Sequence, residues 1–564
     1  MSRRPIRLSP ELIAVGAIVT LVWSAALGVA ISGFVVALLT GNGLRWHLDG
    51  IVRMVTDGAS ITYGVPSIVV VLGAVIIAAA LALAILQGIR RATKVSDDWR
   101  QDDRERRISK SPVWAKPKDI PTLIEPAPVS RVVLGELAGE TVAARREHSV
   151  IVVAPPRSGK TVSVVVPAVL RWEGPAIVTS TKRDVYDVTQ AHRATLGPVW
   201  VFDPAGVTGT PSAKWSPIPG CEDWIMAEDV AHWLVQAARV QDSADRASFW
   251  ETQARQFLAP LLHAAALDGR HADEVLEWVQ RGLNASDDVL APLTHYQAHD
   301  ALLALNSAYA LPAETFGGVQ ATALNLFHSY GSARMRPFTS FTPGDPDAID
   351  WDDLIDNNGT LYLLASDSDQ QLLRPVFEAM LASMMRKVAD RYLTSSSPLN
   401  PRLLLMLDEA AHVASPLRLP EWLNSYSGQG VNVVTVWQDL AQIEEIYGPA
   451  RARAVWTGHP AKLLLGGISD TSTLVAARDL IGDQATGSRT ESWSPNGDVS
   501  TSEADGDLDV APVAWLRRRP AGTAIGLVAE HKPMQLNTLP WYADPALVDL
   551  VPADVREAQA RQAR

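Results

Sequence analysis

One cysteine, Cys221, stands in 564 residues. That scarcity excludes an intrachain disulfide and any cysteine-cluster metal site, and it fits a reducing compartment. No His-Glu-x-x-His occurs, so His412, three residues after Glu409, reads as a helix-packing histidine and not as part of a zinc motif. No internal repeat is visible. Charged residues make up only 20% against 47% hydrophobic, which excludes a disordered bias. Positive charge is also short: the chain carries a formal −12. Residues 1–110 hold 13 Lys/Arg against 8 Asp/Glu, a net +5, so the remainder carries −17. A body that acidic excludes a general nucleic-acid coating surface, and any such contact must be local, as in a pore lining. The length leaves room for about three or four domains.

Charge is missing altogether from two stretches near the N-terminus, about 12–40 and 65–86. Each is long enough to cross a ~30 Å hydrocarbon core as a helix. The first is too long for a secretory signal, and a second span follows it. Arg3, Arg4 and Arg7 precede the first span, and Arg90, Arg91 and Lys94 follow the second. Positive-inside logic then places both termini in the cytoplasm. Residues 1–94 are expected to form a multi-pass anchor for a large cytoplasmic body.

Residues 95–130 are charged and then proline-rich, which reads as an extended linker. Short β segments are expected from Arg131 to Glu147. Val150–Val153, Ala176–Thr179 and Val199–Phe202 then read as strands alternating with helices, the signature of a parallel sheet. From 206 to 338 the periodicity turns helical. Trp250, Ala254, Phe257, Leu261 and Ala265 share one face, and an inserted all-α domain is expected there. Strands resume at Thr360–Leu364, Pro401–Glu409, Val431–Gln438 and Lys462–Leu465. Gly482–Leu508 reads as a mobile loop, Thr523–Val528 and Pro533–Leu539 as a closing hairpin, and 546–564 as a polar tail. The nucleotide-binding α/β domain is thus expected over 131–205 and 339–545.

The chemistry centres on Ala154-Pro155-Pro156-Arg157-Ser158-Gly159-Lys160-Thr161-Val162. A β-branched strand, a tight turn and Gly-Lys-Thr at a helix start make a phosphate loop, in which backbone N–H groups cradle the anion. Lys160 would reach the β/γ-phosphates of ATP, and the Thr161 hydroxyl would hold Mg²⁺. The first glycine of the pattern is Ala154 here, tolerable at negative φ. Asp408 ends a leucine-rich strand and is the natural partner on Mg²⁺. Glu409 is placed to polarise an attacking water. Gln438 ends the next strand, where a polar residue can sense the γ-phosphate.

Several stretches occur in a recognisable order: Ala154 to Thr161, Thr179 to Tyr186, Phe202-Asp203-Pro204, Ser248 to Glu251, Leu407 to Ala411, Gln438 to Ile443, and Tyr447-Gly448. Together with two N-terminal spans, they resemble the conjugative coupling proteins of type IV secretion systems, the TraG/TraD type. The resemblance implies a RecA-like P-loop NTPase at the inner membrane, assembled as a homo-hexamer, with an all-α domain that recruits substrate. It would pass relaxase-bound single-stranded DNA, or a protein effector, to the secretion channel. It also implies a catalytic role for Gln438. One departure is plain. The family commonly carries a trans-acting arginine between the acidic pair and the glutamine, whereas this chain reads Asn424-Ser425-Tyr426-Ser427-Gly428-Gln429-Gly430. Either Arg418, Arg451 or Arg453 substitutes, or hydrolysis is weak. The alternatives are a chromosome-segregation DNA pump and a nucleotide-binding docking platform with little turnover.

Overall fold

A computed structural model describes residues 108–125, 129–238, 245–342, 344–366, 369–414, 416–493 and 499–562. The chain divides at Ser109/Lys110, and the second unit is the body described here. Both expected spans lie outside the described residues. Among the described residues, no helix is long and apolar enough to cross a membrane.

Strands β1 (Val133–Leu137), β2 (Glu140–Ala143) and β3 (Val150–Val153) lead into the phosphate loop. A π-helical turn, Thr161–Val165, then runs into α1 (Val166–Leu170). Its width has a local cause. Pro167 has no N–H to give Ser163, and Val166 N–H reaches back five residues to Thr161 O. Next come β4 (Ala176–Ser180), α2 (Asp184–Leu196) and β5 (Val199–Phe202).

Helices follow: α3 (Trp224–Ala238), α4 (Asp245–Leu267), α5 (Ala272–Arg281), α6 (Ser286–His295), α7 (His299–Tyr309), α8 (Ala313–Gly331) and the short α9 (Arg336–Thr339). Ala254, Phe257, Leu261 and Ala265 are all buried, the face their spacing predicts. After α10 (Trp351–Asp356) the chain alternates again: β6 (Thr360–Leu364), α11 (Gln370–Ser395), β7 (Leu403–Leu407), α12 (Leu419–Ser425), β8 (Val431–Trp437), α13 (Leu440–Gly458) and β9 (Ala461–Leu465).

The last part is α14 (Thr471–Ile481), β10 (Asp483–Trp493), β11 (Val499–Asp509), α15 (Val513–Arg517), β12 (Thr523–Val528), β13 (Met534–Asn537), α16 (Pro545–Val548) and α17 (Ala553–Gln562).

One sheet of eleven strands organises the body, in the order β2-β1-β13-β12-β9-β3-β8-β7-β4-β6-β5. From β9 to β5 every pairing is parallel, and from β12 to β2 every pairing is antiparallel. The central strands are buried throughout, which is why they read as unbroken apolar runs. Register sets the site. Val153 pairs with Trp437 and Leu407 with Thr435, so β3, β8 and β7 end on one edge. Ligands of open α/β sheets sit outside such carboxyl ends.

Three expectations change. The stretch 482–508, expected as a mobile loop, contains most of an antiparallel ribbon of β10 and β11, in register from Asp483↔Asp509 to Trp493↔Val499. Its Gly, Ser and Asp content hid a strand pattern around Asn496-Gly497, a hairpin signal. Residues 110–125, expected as extended linker, pack on the antiparallel side. Ala115 N–H donates to Pro533 O at 2.8 Å, Ile120 and Leu123 are buried, and the Trp114 ring lies 5.6 Å from that of Trp515. Beyond Asp544 the polar tail is helical and buries Leu547 and Val551, while Arg171 pairs with Asp544. In the last two cases a few buried apolar residues do the anchoring.

Gly197 shows how tightly the sheet edge is built. A Cβ there would lie 2.0 Å from the Asn357 carbonyl oxygen. Gly197→Ala is therefore expected to destabilise the body by about 3 kcal/mol, read as a fall in the urea midpoint with an unchanged slope.

Candidate nucleotide site

The phosphate loop leaves β3 at Ala154, whose N–H donates to Trp437 O at 2.8 Å. That N–H is tied into the sheet, so Ala154 starts the loop and offers nothing to an anion. Its φ is not positive, so the missing glycine causes no strain. Pro155 and Pro156 have no N–H to offer. Ser158 N–H turns to Pro155 O at 3.3 Å. The remaining donors are Arg157, Gly159, Lys160, Thr161 and Val162. Arg157 at φ 63° and Gly159 at φ 85° alternate with right-handed neighbours such as Lys160, the backbone pattern of an anion-binding nest. The Ser158 hydroxyl is buried without a hydrogen-bond partner. An orphaned donor inside a nest fits a phosphate oxygen.

Two carboxylates face this loop from the end of β7. Lys160 Nζ donates to Glu409 Oε1 at 2.9 Å, with both groups largely shielded. Glu409 sits at φ 52°, a conformation that turns the chain sharply after the strand. Its neighbour Asp408 is buried, and its backbone carbonyl accepts the Thr179 hydroxyl at 3.0 Å. Burial pushes the Asp408 carboxyl up to about 7, against the pull of the Lys160 charge. Glu409 and Asp184 add to that rise. A carboxylate so poor in water and so rich in negative neighbours is suited to a divalent cation. Among the described residues, no group of three or more His, Cys, Asp and Glu forms a metal cluster of its own. A cation here would therefore depend on ligand oxygens for most of its shell, as Mg²⁺ does with phosphates.

Gln438 leaves β8 between β3 and β7, hence between the loop and the acidic pair. Its backbone N–H donates to Gln442 Oε1 at 2.9 Å, and Asp439 caps α13 through Gln442 N–H at 2.9 Å. Those bonds fix where the strand ends. His412 belongs to the turn after Glu409, its N–H on Glu409 O at 2.8 Å. Of the three arginines considered as substitutes, Arg451 is engaged by Glu421 at 3.0 Å and by Leu417 O. Arg418 and Arg453 are exposed.

Some site residues escaped the sequence reading. Asp184 opens α2 beside the acidic pair, and its own carboxyl is raised by burial. Gly466 and Gly467 follow β9: a Cβ on Gly467 would lie 3.6 Å from Pro155 Cγ of the loop, while one on Gly466 would lie 2.3 Å from Pro520 O, away from it. The Gly-Gly pair after an apolar strand was the signal available.

A family model described as type IV secretory system conjugative DNA transfer matches residues 105–559. The conjugal transfer protein TraG of Agrobacterium fabrum is 27% identical over 328 residues, covering 56% of this chain and 48% of the relative. A conjugal transfer protein TraG of Escherichia coli is 28% identical over 324 residues, covering 53% of this chain and 49% of the relative. The chain thus spans about half the length of these relatives. Among solved structures, the unbound conjugative coupling protein TrwBdeltaN70 gives a TM-score of 0.56 at 18% identity, covering 75% of this chain and 91% of that one. TrwB in complex with ADP and Mg²⁺ gives 0.53 at 18% identity, covering 76% and 93%. At that identity the likeness shows the fold.

Proposed function

The chain belongs to the type IV secretory system conjugative DNA transfer family, and from that premise we propose that it is a membrane-anchored ATPase. It recruits relaxase-bound single-stranded DNA, or a protein substrate, and drives it toward a secretion channel. The observation that carries this reading is the convergence of Lys160 with Asp408 and Glu409 across β8, around a nest with an orphaned serine hydroxyl. Neighbours solved with ADP and Mg²⁺ or with a non-hydrolysable ATP analogue support the nucleotide assignment.

In the proposed mechanism the loop N–H groups and Lys160 orient and neutralise the phosphates. Asp408 and Thr161 would hold Mg²⁺, which supplies Lewis-acid stabilisation of the developing charge. Glu409 accepts a proton from the attacking water, and Gln438 helps to position that water. Glu409 can do this only once Lys160 has turned from it to the phosphates. The site's exposed flank suits assembly as a ring, in which Arg418 or Arg453 could reach a neighbouring subunit's nucleotide. The two N-terminal apolar stretches would place the protein in the inner membrane.

A docking platform with slow turnover is the second reading. It is favoured by Arg451 being held by Glu421 and by the absence of arginine from residues 424–430. The two readings part on one measurement: Mg²⁺-ATP turnover by the full chain in detergent, with and without single-stranded DNA, beside Lys160→Ala. The motor reading expects DNA to raise the rate several-fold and Lys160→Ala to abolish it. A slow rate that ignores both DNA and Lys160 would sink that reading. DNA affinity should also fall steeply with salt, because phosphate contacts release counterions.

A further inference from the structure

The two chain crossings that tie the inserted helices to the sheet run side by side. Lys214 N–H donates to Asp347 O at 2.9 Å, Ile349 N–H to Lys214 O at 3.0 Å, and Trp215 N–H to Phe338 O at 2.8 Å. Against this locked pair opens a cavity of about 250 Å³, walled by Trp215, Trp233, Phe341 and Trp351, with Ser383 and Asp390 of α11 on its far side. Pockets that enclose whole drug-sized ligands run from roughly 300 to 1,000 Å³, while roughly 150 Å³ holds a benzene ring. This cavity is therefore sized for one side chain. Lys387 and Asp390 also border a second, more open hollow of about 600 Å³, which extends past Arg391 and Ser395 to Asn400. A socket that adjoins a polar trough suits an extended segment with one anchored side chain.

Charge decides what that side chain is. Residues 345–356 contain six aspartates. The cations facing them are already held: Lys214 by Asp345 at 2.7 Å, Lys387 by Asp352 at 2.6 Å, and Arg391 by Asp352 at 2.6 Å and Asp356 at 2.5 Å. Arg386 is shared by Asp229 and Asp390. The lining of the two hollows is itself balanced, Asp352 and Asp390 against Lys387 and Arg391, and the surplus of negative charge lies just outside it, in the aspartates on either side of Ile349 and Trp351. Residues 206–338 as a whole carry 8 Lys/Arg against 15 Asp/Glu. A phosphate-bearing or acidic segment is repelled from this mouth, while a cation is attracted both by those outer aspartates and by aromatic walls.

We propose that this socket binds a cationic side chain, a guanidinium or alkylammonium group, presented by an extended segment of a partner protein. The occupant touches both crossings of the insertion and α11, so it would pin the inserted helices against the sheet. The inference rests on the cavity and its charge, and it holds whatever the turnover at the nucleotide site.

The test is fluorescence anisotropy of labelled tetra-arginine amide on the full chain in detergent. Tetra-citrulline, of the same shape without charge, is the paired probe. Met226→Trp fills the socket from α3, where Met226, Val230 and Trp233 share the lining face. Asp390→Asn removes one charge and keeps the shape. Each change, and citrulline, should weaken binding by roughly tenfold or more. The double change Asp287→Asn/Asp288→Asn on α6, outside the cavity, should alter it by less than roughly twofold. Equal binding of citrulline, or an equal loss from the α6 variant, would overturn the site in favour of general acidity. Should Met226→Trp unfold, Asp390→Asn decides. Spermidine competing as well as the peptide would replace the protein segment with a free organic cation.

Discussion

Replacing Asp408 with asparagine should remove Mg²⁺-dependent hydrolysis and, at the same time, stabilise the metal-free protein above pH 7. The two effects share one cause. Asp408 is buried, and burial lifts its carboxyl from the usual range to about 7. A carboxyl whose folded pKa is raised binds its proton more tightly in the folded chain than in the unfolded one. Its contribution to stability is therefore full below pH ~4 and is lost as pH rises through about 7. The loss amounts to on the order of 4 kcal/mol at most, reduced by whatever relaxation the site allows. Asparagine carries no charge to desolvate, so Asp408→Asn should show a melting temperature that stays level over this window while the wild type declines. Only below pH ~4 should the two nearly coincide. Hydrolysis should fall by ~10²-fold or more, because the carboxylate that would anchor the cation is gone. In the wild type, Mg²⁺ must displace the proton, so its affinity should rise about tenfold per pH unit below 7 and flatten above it. A variant no more stable than wild type at pH 8 would show that Asp408 is ionised without cost in the folded chain.

The site was partly legible because its parts lie at strand ends. Each apolar run, from Val150–Val153 to Val431–Trp437, is buried on both faces, so hydrophobicity alone marks where the strand stops and the exposed chemistry begins. Lys160, Asp408, Glu409 and Gln438 all follow such runs or their turns. Which strand neighbours which is a different matter. Nothing in spacing says that β8 lies between β3 and β7, and only that order brings Lys160 onto Glu409 and leaves Gln438 between them. Asp184 escaped for the same reason: its relevance comes from β4 lying beside β7. The errors share another cause. Residues 110–125 and 545–551 are held by short apolar groups such as Ile120, Leu123, Leu547 and Val551, broken up by proline and charge, and groups so short leave no period to detect.

Glu409→Gln should separate binding from turnover. In the nucleotide-free chain, Glu409 accepts the Lys160 ammonium at 2.9 Å. A phosphate entering the loop must win Lys160 from that carboxylate, and until it does Glu409 is no base. The pair is partly shielded, with side-chain exposures of 12% and 23%, so breaking it costs about 1 kcal/mol. Glutamine keeps the size, and it inherits the same left-handed backbone at φ 52° without new strain. It holds Lys160 only through a neutral hydrogen bond. Nucleotide affinity should therefore rise about fivefold while hydrolysis falls by ~10²–10⁴-fold, the usual loss when a general base is removed. Lys160→Ala should do the opposite to binding, weakening it while freeing Glu409. The double variant completes a cycle that isolates the pair. If Glu409 and an entering phosphate compete for Lys160, the effects of the two substitutions on nucleotide affinity will not add, and the coupling should match the cost of the broken pair. Strict additivity would mean that the 2.9 Å contact opposes nothing, and that some other step limits entry to the loop.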